Sequence, residues 1–186
     1  MVEFSVPVAV LAIDLQNGIF AGETLVHDAG GVLERAQEVI AAAAKGGHPV
    51  IVVQDDAGPG IWQPDTFDWE VHPRISAPPD AIRLRKRFGD AFRGTRLDEY
   101  LRDSSVGHVV VLGAMTDFSV RATLQRALLK GYRATLVVDA HSTLDAPDGT
   151  AVEQVELLNR EIEEAEVAGL HVRGVTAEMV ASALMA

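Results

Sequence analysis

The sequence predicts a three-layer α/β/α sandwich around a central, mostly parallel sheet, and two patterns carry that prediction. Short runs rich in Val, Ile, Leu and Ala lack polar alternation, as expected of strands covered on both faces. Between them lie segments whose apolar residues recur at i, i+3 and i+4, the period of a helix with one buried side. Right-handed crossovers join such units into one sheet with helices on either face.

The first strand is residues 6–13, interrupted only by Pro7 and ending at Asp14. Similar runs follow at 49–53, 108–112 and 134–138, with a short strand at 81–84 and a weaker one at 170–173. Helical spacing is carried by Val32, Ala36, Val39, Ile40 and Ala43, then by Val120, Leu124, Ala127 and Leu128, then by Val152, Val155, Leu158 and Ile162. A short helix over 176–184 ends the pattern. Gly46-Gly47 and Gly131 stand where a helix must turn into a strand, the usual place for glycine at a helix C-terminus. The irregular stretch 55–80 holds Trp62 and Trp69 among several prolines, which suits a pocket wall or lid better than a linker.

A length of 186 residues suits one domain, residues 1–186, with a single buried core. The net charge of -11 would repel a phosphate backbone, so nucleic acid is not an expected partner. No apolar run approaches the roughly 18 to 20 residues needed to span a bilayer, and no signal-like start precedes the first strand, so the expectation is a cytoplasmic protein without membrane contact. Cysteine is absent, which removes disulfides, thiolate metal ligands and a thiol nucleophile.

In an open parallel sheet, ligands bind beyond the carboxyl ends of the strands. Polar residues fall there: Asp14 after the first strand, Gln54 and Asp55 at the second, Lys86 just past the short third, and the segment from Gly113 to Ser119 after the fourth. Each has an ordinary reading as well. Asp14 suits a cap or a loop acceptor, Lys86 belongs to the basic cluster Arg83, Arg85, Lys86 and Arg87, and a first-turn serine is often structural. Yet the chain has 13 Arg and only 3 Lys, and lysine, unlike arginine, can exchange its proton beside a carboxylate. Backbone N–H groups at a strand-to-helix turn around Ser119 would also make an oxyanion cradle.

Asp14 in Ala-Ile-Asp-Leu-Gln-Asn-Gly-Ile-Phe, Lys86 in Arg-Lys-Arg-Phe-Gly-Asp-Ala-Phe, and Gly-Ala-Met-Thr-Asp-Phe-Ser-Val followed by Thr123 and Gly131-Tyr132 together resemble the isochorismatase-like cysteine hydrolases. Asp139-Ala140-His141-Ser142-Thr143 is a further match, so the resemblance runs from about residue 8 to 143. It implies a Rossmann-like topology and an Asp, Lys, Cys triad that falls here on Asp14, Lys86 and Ser119. It also implies a cis peptide between Ala114 and Met115, an oxyanion hole from the Met115 and Ser119 amides, and a homo-oligomer, dimer or tetramer. Phe20, Gln54, Trp62 and Ala114 are the expected substrate-pocket residues.

The chain departs from the family at the nucleophile, where serine replaces cysteine. Either the thiol has been exchanged deliberately to trap substrate, which the cysteine-branch pattern Thr116-Asp117-Phe118-x-Val120 favours, or the natural protein lacks it, as true isochorismatases do. The nicotinamidases of the family carry a metal on an Asp-x-His motif; here the region reads Gln54-Asp55-Asp56-Ala57, and the six histidines show no ligand spacing. No catalytic metal and no cofactor are expected. Gly58-Pro59-Gly60 begins a dinucleotide fingerprint, but Gln63 replaces its third glycine. Three functions stay open: hydrolysis of a C–N bond in a small amide through an acyl-enzyme, hydrolysis of an isochorismate-type vinyl ether without a covalent intermediate, and ligand binding without turnover.

Overall fold

A computed structural model describes residues 3–22, 24–56, 58, 63–147 and 149–186. Among the described residues six strands form one sheet: β1 (Val8–Ile13), β2 (Val50–Asp55), β3 (Ile82–Lys86), β4 (His108–Ala114), β5 (Arg133–Ser142) and β6 (Val172–Val175). Their order is β3-β2-β1-β4-β5-β6, and every neighbouring pair is parallel. The order reverses direction between β1 and β4, which opens a crevice at their carboxyl ends.

Alternation along β1 explains the layers. Val8, Val10 and Ala12 face one hydrophobic cluster, which includes residues of α2 (Ala29–Lys45) and α6 (Ala177–Leu184). Ala9, Leu11 and Ile13 face a second, which includes residues of α3 (Leu97–Asp103), α4 (Arg121–Leu129) and α5 (Ala151–Val167). A strand that is apolar at every position therefore has a helix layer on each side. One further short helix, α1 (Asn17–Phe20), follows β1. A capping box fixes the start of α5, with the Glu153 amide donating to Thr150 Oγ1 and the Thr150 amide donating to the Glu153 carboxylate. Among the described residues no helix is long and apolar enough to cross a membrane.

Several boundaries differ from the sequence expectation. Lys86 is the last residue of β3, not a residue beyond it, because Asp55 and Lys86 still pair in the β2–β3 ladder. The sheet is parallel throughout, and β5 continues to Ser142 after an irregularity opposite β4. The short helix α3 was not expected, since only Leu97 and Leu101 of it are buried. Val152 is 41% exposed, so α5 presents Leu158 and Ile162 to the core instead. Of the stretch 55–80, Asp55 belongs to β2, and residues 66–72 bond along the β1–α1 turn: Asn17 and Gly18 amides donate to the Glu70 and Asp68 carbonyls, and the His72 amide to that of Leu15.

Candidate active site

The crevice gathers its polar residues from four strand ends. Asp14, directly after β1, has a left-handed backbone with φ near 50°, a conformation that Asp tolerates better than most residues. Gly113, at the end of β4, has φ +119°, and a Cβ there would lie 2.0 Å from the Ile13 carbonyl oxygen. Only glycine lets the two strands approach so closely just before Asp14. After β4 the Ala114–Met115 peptide is cis, and Thr116–Val120 form a π-helical turn that leads into α4.

Lys86 reaches inward from edge strand β3. Neighbouring strands lie about 4.8 Å apart, so only a long side chain on β3 can cross β2 to the end of β1. Its ammonium stands 2.7 Å from Asp14 Oδ2 and 2.8 Å from Asp55 Oδ2, and it donates to Ser119 Oγ at 3.0 Å. Lys86 and Ser119 are each 1% exposed and Asp14 2%. The three side chains that share no sequence neighbourhood thus meet in one buried cluster.

Two carboxylates share one ammonium here, and the balance shows on Asp14. Burial pushes its carboxyl up to about 6, against the pull of Lys86 and of a hydrogen bond with Ser119. Asp14 Oδ1 is buried and has no hydrogen-bond partner among the described residues. The Ser119 oxygen accepts from Lys86, which leaves the hydroxyl proton free to point at Asp14. Such a group is a better base than an ordinary surface carboxylate.

Of the expected pocket residues, Ala114 is fully buried at the end of β4, while Gln54 donates to the Trp69 carbonyl at 3.0 Å. Phe20 lies in the core cluster with Leu15, Ile19 and Val26. Trp62 falls outside the described residues. Asp55, a strand-end residue in the sequence but not among the expected site residues, joins the site as the second partner of Lys86. Gln16 braces it: the Asp55 amide donates to Gln16 Oε1 at 2.8 Å, and Gln16 Nε2 donates to the Asp55 and Trp69 carbonyls. The signal for Asp55 was its place at the end of a strand that pairs with the lysine strand. The described residues do not fit a metal: Asp55 is engaged by Lys86, and no group of three or more His, Asp or Glu among them is placed to hold an ion. A cavity of about 850 Å³ lies elsewhere, between residues 3–8, His48 and α6 at the opposite end of the sheet.

Residues 8–166 match the model of the isochorismatase domain. A streptothricin hydrolase of Streptomyces noursei is 34% identical over 140 residues, 75% of this chain and 56% of that protein. The chain thus spans about half the length of the curated relatives it matches first. Among solved structures, N-carbamoylsarcosine amidase from Thermoplasma acidophilum superimposes with a TM-score of 0.76 at 25% identity, over 92% of this chain and 97% of that one. A Burkholderia xenovorans LB400 protein gives a TM-score of 0.87 over 97% of this chain and 88% of its own, and at 22% identity that likeness is one of fold.

Proposed function

The chain belongs to the isochorismatase family, and from that premise we propose that it hydrolyses a C–N bond of a small amide-like molecule through an acyl intermediate on the side chain at position 119. The observation that carries this reading is the buried ammonium of Lys86, within 3.0 Å of both the Asp14 carboxylate and the Ser119 hydroxyl. The relatives named a streptothricin hydrolase and an N-carbamoylsarcosine amidase support the bond class.

In the proposed cycle Asp14 takes the proton of the group at position 119, whose freed electron pair attacks the carbonyl carbon. Lys86 stabilises the anion that forms on that group, and the Met115 and Ser119 amides receive the carbonyl oxygen as it becomes an oxyanion. The C–N bond then breaks, and the proton on Asp14 passes to the leaving nitrogen. Water next gives a proton to Asp14 and attacks the acyl carbon; the bond from that carbon to side chain 119 breaks, the acid is released, and the proton on Asp14 returns to side chain 119.

The nucleophile's own acidity sets the rate. With Asp14 near 6, a thiol at about 8.5 lies within reach of the base, while an alcohol is far less acidic. Serine is therefore the slow form, and Ser119→Cys raises turnover of the correct amide. Intact-protein mass spectrometry of that variant with a panel of small carboxamides, ureas and lactams tests the reading. An acyl adduct at position 119 that decays with product release supports it; no adduct and no turnover with any member of the panel removes it.

One observation favours a second reading. A carboxyl near 6 is also a competent proton donor at neutral pH, as hydrolysis of an isochorismate-type vinyl ether requires. On that reading serine at 119 is harmless, isochorismate is turned over by the unaltered chain, and no adduct forms.

A further inference from the structure

Strand β5 carries its irregularity opposite the turn that bears Ser119. Val111 faces Leu136, yet Gly113 faces His141 and Ala114 faces Ser142, so extra residues of β5 are accommodated in between. Irregularities of this kind re-aim side chains, and here they bring His141 and Thr143 against the π-helical turn. Thr116 Oγ1 and His141 Nδ1 are 2.9 Å apart, His141 Nε2 and Asn159 Oδ1 are 2.9 Å apart, and Asn159 Nδ2 donates to the Val138 carbonyl at 3.0 Å. Thr143 Oγ1 donates to Asp117 Oδ1 at 2.6 Å, tying the next residue of the same turn.

The direction of every bond in this chain is fixed from its far end. The Val138 carbonyl can only accept, so the amide NH2 of Asn159 faces it and Oδ1 faces the imidazole. His141 then donates through Nε2, which leaves Nδ1 without a proton. Thr116 must therefore donate its hydroxyl proton to Nδ1. Thr116 and His141 are 0% and 2% exposed, so water does not offer an alternative partner, and breaking one link leaves a buried polar atom unpaired.

We infer that His141, held as its Nε2–H tautomer by Asn159, is a positioning residue for the reaction: through Thr116 it fixes the turn that aims side chain 119 at Asp14 and Lys86. It touches neither substrate nor the reacting atoms. A buried histidine that merely filled the core would also need partners for its ring nitrogens, but not one on the turn that carries position 119. Burial also pushes His141 down to about 4, with Asn159 and Asp139 opposing, so the ring stays neutral and Nδ1 stays an acceptor at neutral pH. The inference rests on position 119 being the reacting group, but its test needs no substrate.

Imidazole ¹⁵N spectra of the unaltered protein at pH 7 should show a bare Nδ1 and a protonated Nε2 for His141. In a Ser119→Cys background, the rate of alkylation by iodoacetamide at pH 7 reports the aim and ionisation of the thiol. Thr116→Val, which keeps the shape but removes the donor, should slow it on the order of tenfold, whereas Thr116→Ser should stay within about twofold. If Thr116→Val does not fold, Asn159→Ala perturbs the same chain from its far end and should give mixed tautomers with slower alkylation. A protonated Nδ1, or a folded Thr116→Val or Asn159→Ala protein alkylated as fast as Thr116→Ser, would overturn the inference. Failure of every amide substrate with these alkylation differences intact would count against the proposed function alone.

Discussion

The two ends of the parallel sheet treat polar groups in opposite ways. At the carboxyl ends of β1, β2 and β3, two carboxylates and one ammonium are withdrawn from water together, and Asp14 is left with a proton affinity raised to about 6. At the amino ends the contacts are single hydrogen bonds made by histidines: His108 Nε2 pairs with Thr135 Oγ1 at 2.8 Å, and the half-buried His48 Nε2 meets the Leu184 carbonyl at 3.0 Å. Burial pushes His108 down to about 4, so it is uncharged at neutral pH. The cavity of about 850 Å³ is at this quiet end. Open volume is thus a poorer guide to chemistry than the place where charges are held at a cost in stability.

Substitutions at the two ends should separate them sharply. Lys86→Met has the largest expected effect, because it strands Asp14 and Asp55 without their shared cation. A loss of about 3 to 5 kcal/mol in denaturant unfolding at pH 7 is expected, together with loss of activity at any pH. If Lys86→Met unfolds at the same denaturant concentration as the parent, the ionised cluster does not exist in solution.

Asp14→Asn should act on rate and stability in opposite directions. Turnover by the Ser119→Cys enzyme is expected to fall on the order of a thousandfold through loss of the base. A carboxyl that binds its proton more tightly folded than unfolded loses stability as pH rises from 3.8 to about 6, with no further loss above that window. The neutral amide escapes this penalty. Its stability relative to the parent should therefore grow between pH 4 and pH 6.5, by roughly 3 kcal/mol at most, in unfolding curves collected across that range. A relative stability that stays flat or falls as pH rises would contradict the raised affinity of Asp14.

At the quiet end the effects shrink. Thr135→Val removes the partner of His108 and should cost about 1 to 2 kcal/mol while leaving turnover of the Ser119→Cys enzyme unchanged. Met179→Ala, in the wall of the large cavity and 47% exposed, should change stability by no more than about 0.5 kcal/mol. A rate change in either variant would show that the two ends are coupled.

Much of this division was legible in the sequence. The runs of β1, β2, β4 and β5 stand out because sandwiched strands need apolar residues on both faces, and the motifs around Asp14, Lys86 and Ser119 marked three of the four charged or nucleophilic members of the cluster. Asp55 was harder to assign, since its partnership with Lys86 depends on the parallel register of β2 and β3, which one-dimensional spacing does not encode. Edge strand β3 was cut short because exposed Arg83 and Arg85 alternate with buried Leu84 and Lys86, so it lacks the unbroken apolar run of the central strands. His141 was visible as part of a motif, but its link to Thr116 depends on the offset in β5, and no local signal announces an offset of that kind.

The most direct test of the cluster is a pH titration of the Asp14 carboxyl carbon by ¹³C NMR, with Asp14→Asn used to assign the resonance. A midpoint near 6, shifted when Lys86 is replaced by Met, is the expected result. A midpoint at or below the ordinary aspartate value of 3.8 would mean that Asp14 is a stable anion in an ordinary ion pair, and neither the proposed base nor the proposed acid.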